Sequence, residues 1–331
     1  MKIGIAFDLK PKEVPSFLPE DIFEEFDSEQ TIESIGKALK NLGFEVFYLG
    51  SGKAFIEKIL VNKPDFVFNI AEGFGTRSRE GHIPSICEVF NIPYSGSDPL
   101  ALNVTLDKEL CKRFAKSLNI RTPYFKVIKS KKDVKNFKFN KFPCVLKLKN
   151  EGSSIGLRLS SKVNSLEELK DKALELFELY NEEILVEKFI AGKEITVGII
   201  GNKRIKFLGF MEIRPKKLEL PNFLYSLEIK RNFREEVEYI VPPEIPGETL
   251  KEIKRYVLKL FRYLNLRDFA RFDFRLDEDL KPYFLEINPL PGLNPETSDF
   301  PIMVYKSGLT YDEIIKMILY SAFERYGIKK K

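Results

Sequence analysis

The sequence predicts an α/β protein whose N-terminal part forms an open parallel sheet. Three short runs of β-branched and aromatic residues, at positions 2–7, 44–49 and 66–70, have the composition of strands. Between the first two runs, apolar residues at 32, 35, 38, 39 and 42 recur at the spacing of one helix face. Strands that alternate with helices favour parallel pairing, so residues 1–104 are expected to form a Rossmann-like domain.

The first helix is expected to begin at Asp27 and to end at Gly43. Gln30 follows Asp27 at the spacing of a capping box, in which two side chains satisfy free backbone amides. Glycine is common directly after a helix, because it adopts left-handed backbone angles without strain.

A second, smaller region is predicted at residues 105–190. It contains a helical pattern at 108–118, a strand that ends at Lys147, a loop rich in glycine and serine, a helix at 166–180 and a strand at 184–189. Ser165 and Glu168 have the spacing of a second capping box. The last strand marks the predicted seam with a third region.

The third region, residues 191–331, is rich in predicted strands. One long helix is expected at 249–264, a β-hairpin pairs residues 269–276 with 283–287, and a final helix covers 311–326. Three regions agree with a chain of 331 residues, since domains typically have about 100–200 residues.

Composition excludes several classes of protein. Hydrophobic residues make up 44% of the chain and charged residues 31%, which excludes a disordered protein. The 54 basic and 49 acidic residues nearly balance. We therefore interpret the basic stretches at 129–141 and 329–331 as solvated surface rather than as a nucleic-acid-binding face. No run of residues approaches the roughly 18 apolar positions of a membrane span, so no membrane partner is expected.

The cysteines indicate a cytoplasmic protein. Cys87, Cys111 and Cys144 are odd in number and lie in apolar or helical contexts, which is typical of buried thiols rather than of a disulfide framework. The apolar run after Met1 is too short for a secretory signal. The one histidine, His82, is interpreted as an ordinary residue of a loop or helix start.

The predicted hairpin brings oxygen ligands together. Alternation along a strand places Arg271, Asp273 and Arg275 on one face, and Glu286 and Asn288 on one face of the partner strand. Carboxylate and amide oxygens in this number suit Mg²⁺ that bridges nucleotide phosphates. A salt-bridged, solvated sheet face is the alternative, in which Arg271 neutralises Asp273.

The loop after Lys147 is a candidate phosphate site. A lysine at a strand end, followed by small residues at 152–156, can direct backbone amides at phosphate oxygens. A simple hairpin turn is the alternative. The segment Gly50-Ser51-Gly52-Lys53 has neither the spacing nor the following hydroxyl residue of a P-loop.

Six short patterns occur in a fixed order along the chain. They are Leu106-Asp107-Lys108, Lys147 before Glu151-Gly152-Ser153-Ser154-Ile155-Gly156, Glu187-Lys188-Phe189-Ile190, Glu194, Arg271-Phe272-Asp273, and Leu285-Glu286-Ile287-Asn288. Over residues 66–318 this order resembles D-alanine–D-alanine ligases of the ATP-grasp superfamily. The resemblance implies a three-domain ATP-grasp architecture and an ADP-forming ligase that joins a carboxylate to an amine through an acyl-phosphate.

The resemblance also implies roles for individual residues. ATP contacts are implied for Lys108, Lys147, Glu151, Gly152, Ser153, Ser154, Gly156, Glu187, Lys188, Phe189, Ile190 and Glu194. Asp273, Glu286 and Asn288 would hold two Mg²⁺ ions, for which Mn²⁺ is an alternative. Arg271, Lys230 and Ser153 are the catalytic candidates, because phosphoryl transfer depends on positioning and charge neutralisation.

The substrate half departs from the family pattern. Glu72 replaces the histidine of a His-Gly pair, and Arg231 replaces a tyrosine after Lys230. Glu24 or Glu25 falls near an acidic residue that holds the first substrate's ammonium group in the family. Thr297 has the spacing of a hydroxyl that contacts the second substrate's carboxylate.

Three arginines suggest a substrate with additional negative charge. Arg231 would stand beside the reacting carboxylate, and Arg77 and Arg79 lie in the loop after Glu72. An arginine can hold a carboxylate bidentately, so little D-alanyl-D-alanine synthesis is expected. The alternative is that Arg231 points outward and pairs with Glu235 or Glu236, and that the loop arginines are exposed.

Several functions remain open from the sequence. The leading hypothesis is a ligase for small-molecule amino acids or carboxylates, with a homodimer as one possible assembly. The alternatives are a genuine D-alanine–D-alanine ligase of cell-wall synthesis, a catalytically silent nucleotide-binding protein, and a kinase that releases the acyl-phosphate.

Overall fold

Three β-sheets form the framework of the protein in the computed structural model, which describes residues 1–329. Lys330 and Lys331, part of the predicted basic C-terminal stretch, lie outside the described residues. The first sheet contains β1 (Lys2–Ala6), β2 (Glu45–Tyr48) and β3 (Phe66–Asn69). Both outer strands pair parallel with the central β1, which confirms the predicted parallel sheet.

Four helices accompany the first sheet. They are α1 (Glu29–Asn41), α2 (Gly52–Asn62), α3 (His82–Val89) and α4 (Pro99–Leu106). The predicted start of α1 at Asp27 is wrong, because Ser28 caps the helix by accepting a hydrogen bond from the Thr31 amide at 3.3 Å. The backbone of Asp27 instead pairs with the chain after β1, at Asp8 and Lys10. Gly43 lies just after the helix with φ +86°, as predicted.

The second sheet is antiparallel and follows α5 (Lys108–Ser117). Its strands are β4 (Phe125–Ile128), β5 (Cys144–Leu148), β6 (Lys162–Val163) and β7 (Ile184–Lys188), in the order β4-β7-β5-β6. Helix α6 (Leu166–Tyr180) packs on this sheet and gives it a core of its own. Ser165 caps α6, whereas Glu168 accepts from the Asn164 amide, so the predicted reciprocal box is displaced by one residue.

The third sheet is also antiparallel. Its strands are β8 (Glu194–Ile200), β9 (Lys206–Pro215), β10 (Val237–Ile240), β11 (Phe269–Leu276) and β12 (Pro282–Asn288), in the order β10-β9-β8-β11-β12. The helices of this part are α7 (Leu227–Arg231), α8 (Phe233–Glu236), α9 (Gly247–Tyr263), α10 (Asp299–Lys306) and α11 (Tyr311–Tyr326). The predicted hairpin and both long predicted helices are therefore present.

The last helix joins the first and third sheets into one core. Phe323 of α11 meets Phe66 and Phe44 of the N-terminal part edge-on, with ring centroids 5.1 and 5.9 Å apart. The second sheet has a separate core. The predicted boundaries after residues 104 and 190 stay predictions, and the three sheets occupy residues 2–69, 125–188 and 194–288.

Two further predictions from the sequence concern the cysteines and membrane-spanning helices. Cys87, Cys111 and Cys144 are free and buried, as expected. Within residues 1–329, no helix combines the length and the apolar character needed to cross a membrane.

Candidate active site

The hairpin β11–β12 places its charged residues side by side. Asp273 lies opposite Glu286, and Arg271 lies opposite Asn288. An irregularity in the pairing follows Asp273, while Ala270, Phe272, Phe274 and Leu276 are fully buried in a core on the opposite face. The sheet face predicted from alternation therefore exists, and it faces two cavities rather than bulk solvent.

Asp273 is the most highly contacted carboxylate of this face. It accepts hydrogen bonds from Thr196 Oγ1 at 2.5 Å, from Arg271 Nη2 at 2.9 Å and from Asn288 Nδ2 at 2.9 Å. The Arg271 guanidinium therefore neutralises Asp273, which was one of the two interpretations of this face.

Glu286 lies among cations. The Nζ of Lys108 is 4.0 Å from its carboxylate. Burial opposes ionisation, but Lys108, Lys147, Lys230 and Arg271 lower the pKa of Glu286 below its ordinary value. Glu286 is thus held in the charged form that a metal ligand requires.

The donor set suits a hard divalent cation. Two carboxylates and one amide side chain lie on adjacent strands, and oxygen ligands of this kind match Mg²⁺. The Asn288 amide is bonded to Asp273, so metal ligation by its oxygen requires the amide to rotate. The residues present therefore fit the metal that the sequence predicts.

The first cavity, of about 850 Å³, lies between the second and third sheets. Lys147 forms part of its wall, and its ammonium is 2.7 Å from Glu187. Lys112, which the sequence argument missed, holds the other oxygen of Glu187 at 2.9 Å. Burial would raise the pKa of Glu187, but the two lysines lower it to about 2. The buried Glu187 carboxylate therefore holds the Lys147 ammonium group at the cavity wall.

An apolar slot forms one end of the first cavity. Val145, Leu157, Phe189 and Leu224 pack together there, and the backbone from Lys188 to Ile190 lines the same wall. A planar base fits between such side chains, and the strand end supplies backbone hydrogen-bonding groups.

Arg275 organises the strand end at this slot. Its Nε donates to the Ile190 carbonyl at 2.6 Å and Nη2 to the Gly192 carbonyl at 2.9 Å. Its Nη1 is 2.9 Å from Glu194, which lines the cavity. Alternation along β11 placed Arg275 on the correct face, but no local pattern indicates these partners in a different part of the chain.

The loop at residues 151–156, named the lid loop here, covers the cavities. Ser153, Ser154 and Gly156 adopt left-handed angles, with φ of 45°, 62° and 69°. The Lys108 ammonium donates to the Glu151 carbonyl. Ser154 lines the first cavity and Ser153 the second, so the loop separates the two.

Residues 11–27, named the strap here, dock onto the lid loop. Asp21 is fully buried and accepts hydrogen bonds from the Gly156 amide at 3.0 Å, Arg158 Nη2 at 3.1 Å and the Tyr180 hydroxyl at 2.7 Å. A Cβ on Gly152 would collide with the Glu25 carboxylate. The sequence argument did not identify this contact, because its partners are more than 100 positions apart in sequence.

The second cavity, of about 680 Å³, lies beyond the lid loop. One wall carries Ser153, Lys230, Arg271, Glu286 and Asn288. The opposite wall carries three carboxylates, from Glu25, Glu72 and Glu80. A side pocket of about 260 Å³ shares Glu25 and Glu72 with this cavity and adds Asp27.

The arginines do not supply a free anion-binding group. Arg231 lies 3.2 Å from both Glu20 and Glu24 of the strap and is not part of either cavity wall. The expectation that Arg231 stands beside the reacting carboxylate therefore fails. Arg231 is paired, as in the alternative interpretation, but its partners are not the predicted Glu235 and Glu236.

The loop arginines are also paired. Arg79 is buried, and its Nη2 contacts Glu25 and, at 3.0 Å, Glu151, while Nη1 lies 3.7 Å from Glu80. Arg77 is exposed and lies 3.3 Å from Asp107. The structural basis for a substrate with additional negative charge is thereby removed.

Other predicted residues lie outside the cavities. Glu24 pairs with Lys10 at 2.7 Å, so Glu25 rather than Glu24 is the strap carboxylate that faces the second cavity. Thr297 is exposed, and its amide donates to Asn294 Oδ1 at 3.1 Å. His82 is an exposed first residue of α3, which agrees with its interpretation as an ordinary helix-start histidine.

Comparisons with known proteins agree with this geometry. Residues 114–320 match the family model described as D-ala D-ala ligase C-terminus. The chain is 38% identical over 292 residues to the D-alanine–D-alanine ligase of Aquifex aeolicus, covering 88% of this chain and 94% of that protein. It is 32% identical over 299 residues to the D-alanine–D-alanine ligase of Thermotoga maritima, with coverage of 90% and 93%. It is also 29% identical over 302 residues to the uncharacterized protein y4sG of Sinorhizobium fredii, with coverage of 89% and 88%.

A solved structure has the same fold. The D-alanine–D-alanine ligase of Bacillus anthracis, crystallised with ATP, superposes with a TM-score of 0.73 over 99% of both chains at 23% identity.

Proposed function

The chain belongs to the D-alanine–D-alanine ligase family of ATP-grasp enzymes, which are ADP-forming carboxylate–amine ligases, and we propose that its two cavities hold the nucleotide and the amino-acid substrates. One observation carries this proposal. Lys108, Lys230, Arg271 and Glu286 line both cavities, so a shared, highly charged wall lies where a phosphoryl group must pass from one to the other.

The first cavity suits ATP. The apolar slot at Phe189 would hold adenine, and the backbone from Lys188 to Ile190 would bond its edge. Glu194 lies where it can accept from the ribose hydroxyls, while Lys108 and Lys147 line the end nearer to Glu286 and would pair with phosphate oxygens.

The shared wall suits a divalent metal bound with the nucleotide. Asp273, Glu286 and Asn288 would hold Mg²⁺, with two ions as the expected number and Mn²⁺ as an alternative. When bound, the metal neutralises phosphate charge and orients the terminal phosphoryl group.

The chain's own residues then support two chemical steps. In the first step, an oxygen of the substrate carboxylate forms a bond to the γ-phosphorus and ADP leaves, giving an acyl-phosphate. Lys230 and Arg271 line the place where this transfer occurs and neutralise the three phosphoryl oxygens. In the second step, the amine forms a bond to the acyl carbon, loses a proton, and releases inorganic phosphate.

The lid loop protects the intermediate. An acyl-phosphate reacts with water, so the site must exclude water between the two steps. The lid loop, held by Lys108 and by the strap, lines both cavities and would limit the access of water to the intermediate. This proposal requires no protein nucleophile.

Two other functions follow less well from the site. A silent nucleotide-binding protein would have no need for Asp273, Glu286 and Asn288 together on one wall. A kinase would need only one substrate beside ATP, whereas the second cavity continues into a side pocket that leaves room for two.

The leading hypothesis is a ligase for amino acids or carboxylates in general, and D-alanine itself is the second candidate substrate. Relatives named D-alanine–D-alanine ligase are up to 38% identical to this chain, and Arg231, which argued against two D-alanines, is paired elsewhere. We also propose a cytoplasmic location, because three buried thiols are free, and a homodimer, which light scattering of the purified protein tests.

The decisive assay measures free phosphate. The protein, Mg-ATP and pairs of D- and L-amino acids are incubated together, with each amino acid also tested alone. Phosphate released in step with ADP and with a dipeptide identifies a ligase. ADP formation with accumulation of an acyl-phosphate would indicate a kinase, and no ADP with any pair would contradict the proposed function.

A further inference from the structure

The side pocket combines an apolar wall with carboxylates. Ile70, Phe269, Leu290 and Leu293 contribute the apolar surface, and Glu72 and Asp27 contribute the charged end. The pocket opens into the second cavity through Glu72 and Glu25, which line both spaces. An apolar pocket with carboxyl groups at its mouth and one, from Asp27, inside it is complementary to an alkyl chain that carries an ammonium group.

Some carboxyl oxygens of this region lack donors, although Glu25 accepts from Arg79. Glu80 is 6% exposed, and its Oε2 has no hydrogen-bond partner although it faces the second cavity. Among residues 1–329, no side chain or amide donates a hydrogen bond to the carboxylates of Glu72 or Asp27. A buried acceptor without a donor costs about 1–3 kcal/mol, so the Glu80 oxygen is expected to meet a donor when the site is filled.

The carboxyl groups of the side pocket have no cation of their own. Arg79 is shared between Glu25, Glu80 and Glu151, and its electrostatic field also reaches Glu72. The other cations of the second cavity, Lys108, Lys230 and Arg271, lie on the shared wall, where the phosphoryl group is transferred. Burial raises the pKa of Glu72 well above its ordinary value and that of Asp27 to about 8, which a bound cation would reverse.

We propose that the substrate activated by ATP is a diamino acid, in which an alkyl side chain ends in a second amino group, as in ornithine or lysine. This inference rests on the proposed function. The reacting carboxylate faces Lys230 and Arg271, the α-ammonium faces Glu25 and Glu80, and the side chain enters the side pocket toward Glu72 and Asp27. The proposed substrate thus carries an additional positive charge, whereas the arginines in the sequence suggested an additional negative charge.

The test compares matched side chains. Both enantiomers of ornithine and lysine, of their uncharged counterparts norvaline and norleucine, and of alanine are assayed by ADP and phosphate release with saturating Mg-ATP. Each is offered alone and with alanine or glycine as amine donor. We expect kcat/KM for a diamino acid to exceed that for its uncharged counterpart by about tenfold or more, because a buried ion pair is lost with the neutral chain.

Variants locate the preference. Glu72→Gln and Asp27→Asn are expected to reduce the ratio of kcat/KM for a diamino acid to kcat/KM for its uncharged counterpart by about tenfold. Glu33→Gln, an exposed change on α1, serves as the matched control and leaves the preference as in the wild type. Circular dichroism establishes that each variant is folded, and retention of the preference by both folded variants would overturn the pocket assignment.

The wild-type outcomes separate the two proposals. Equal turnover of norleucine, alanine and lysine overturns the diamino-acid inference and leaves the ligase function intact. Absence of ADP release with every pair removes the ligase proposal and this inference together.

Discussion

At the scale of single residues, Asp273 combines two roles that compete. Its carboxylate is held by Arg271, Thr196 and Asn288. A divalent cation bound there would take over part of the charge that Arg271 neutralises, and the guanidinium would then be available to the phosphoryl group in the adjoining cavity. In the proposed mechanism, metal binding and the placement of Arg271 would therefore be coupled through one carboxylate.

Glu286→Gln and Asp273→Asn are expected to lower kcat by a factor on the order of 10²–10³ or more, because each removes a charged metal ligand from the shared wall. Both changes keep the shape and the acceptor oxygen of the side chain. ADP release at saturating Mg-ATP measures the effect.

Glu278→Gln, an exposed change in the turn of the same hairpin, is the matched control and should behave as the wild type. Near-normal ADP formation by Glu286→Gln would rule out its assignment as a metal ligand.

Asp27 gives a prediction for pH. Burial, with the nearby Asp8 charge, raises the pKa of Asp27 to about 8. A raised carboxyl pKa means that folding opposes ionisation, so this residue's contribution to stability is full below the unfolded pKa of about 3.9 and is lost as pH rises through about 8. Asp27→Asn removes the titration. The melting temperature of Asp27→Asn, relative to that of the wild type, should therefore rise by several degrees between pH 5 and pH 9.

Differential scanning fluorimetry of both proteins without amino acid measures this difference. A constant difference across the pH range would show that Asp27 does not titrate in the folded protein between these limits.

At the same scale, the sequence predicted the sheet face of a charged residue better than it predicted the residue's ion-pair partner. Alternation placed Asp273 and Glu286 on one face, because strand geometry is local and repeats every two residues. It failed for Arg231, whose partners Glu20 and Glu24 lie 211 and 207 positions away. Charge and neighbouring residues predict that an arginine will be paired, but only the fold determines with which carboxylate.

At the scale of elements, the lid loop and the strap act together. Left-handed angles at Ser153 and Ser154 are unfavourable for residues with a Cβ, and they require support from the surroundings. Asp21 supplies part of this support through three hydrogen bonds to the Gly156 amide, Arg158 and Tyr180. We therefore expect the strap to limit how often the lid loop opens.

Asp21→Ala should increase protease cleavage within residues 151–156 several-fold in the absence of nucleotide, since three donors lose their acceptor. Mg-ATP should protect the wild-type loop, because phosphate oxygens would satisfy its amides. Limited proteolysis followed by mass spectrometry of the fragments measures both effects.

Glu13→Ala, an exposed change on the strap, is the control and should be cleaved as the wild type. If Asp21→Ala shows no additional cleavage, the strap does not hold the lid loop closed.

The elements themselves were largely predictable. The helix at 166–180 and the strand at 269–276 match their predicted bounds, since periodicity over many residues outweighs local noise. The start of α1 was misplaced because Asp27 and Ser28 are both good capping residues, and the backbone pairing of Asp27 with Asp8 and Lys10 decides between them. The strap was not predicted, because it has no regular periodicity.

At the scale of the whole molecule, the packing of the cores divides the protein into two units rather than three. Helix α11 fills a core that it shares with the first and third sheets, through Ile314, Ile318 and Phe323. The second sheet, with α6, encloses its own core. The first and third sheets are therefore expected to unfold together.

Phe323→Ala should destabilise the protein by about 3–5 kcal/mol, because Phe323 is 2% exposed and its removal leaves a cavity between the two parts. Chemical denaturation with hydrogen exchange should show that β1 and β11 lose protection in the same transition. Glu324→Ala, exposed on the same helix, is the control.

Separate transitions for β1 and β11 in the wild type would contradict the shared core.

Part of the whole-molecule architecture could be inferred from sequence and part could not. The order of short patterns implied the three-domain family architecture, since those patterns fix where the phosphate and metal residues lie along the chain. The docking of α11 on the N-terminal sheet depends on contacts such as Phe44 with Phe323, which no local pattern encodes.

The strap also has a consequence for protein engineering. It is one uninterrupted stretch of chain that enters between β1 and α1, and it carries Glu25 and Asp27 to the substrate side of the site. The residues proposed to bind ATP and transfer its phosphoryl group lie in other segments, on the second and third sheets, on α5 and α7, and in the lid loop. A chimera that receives residues 11–27 from a relative would therefore inherit part of the donor's substrate choice while keeping the recipient's ATP chemistry, which makes this segment a natural unit for library design.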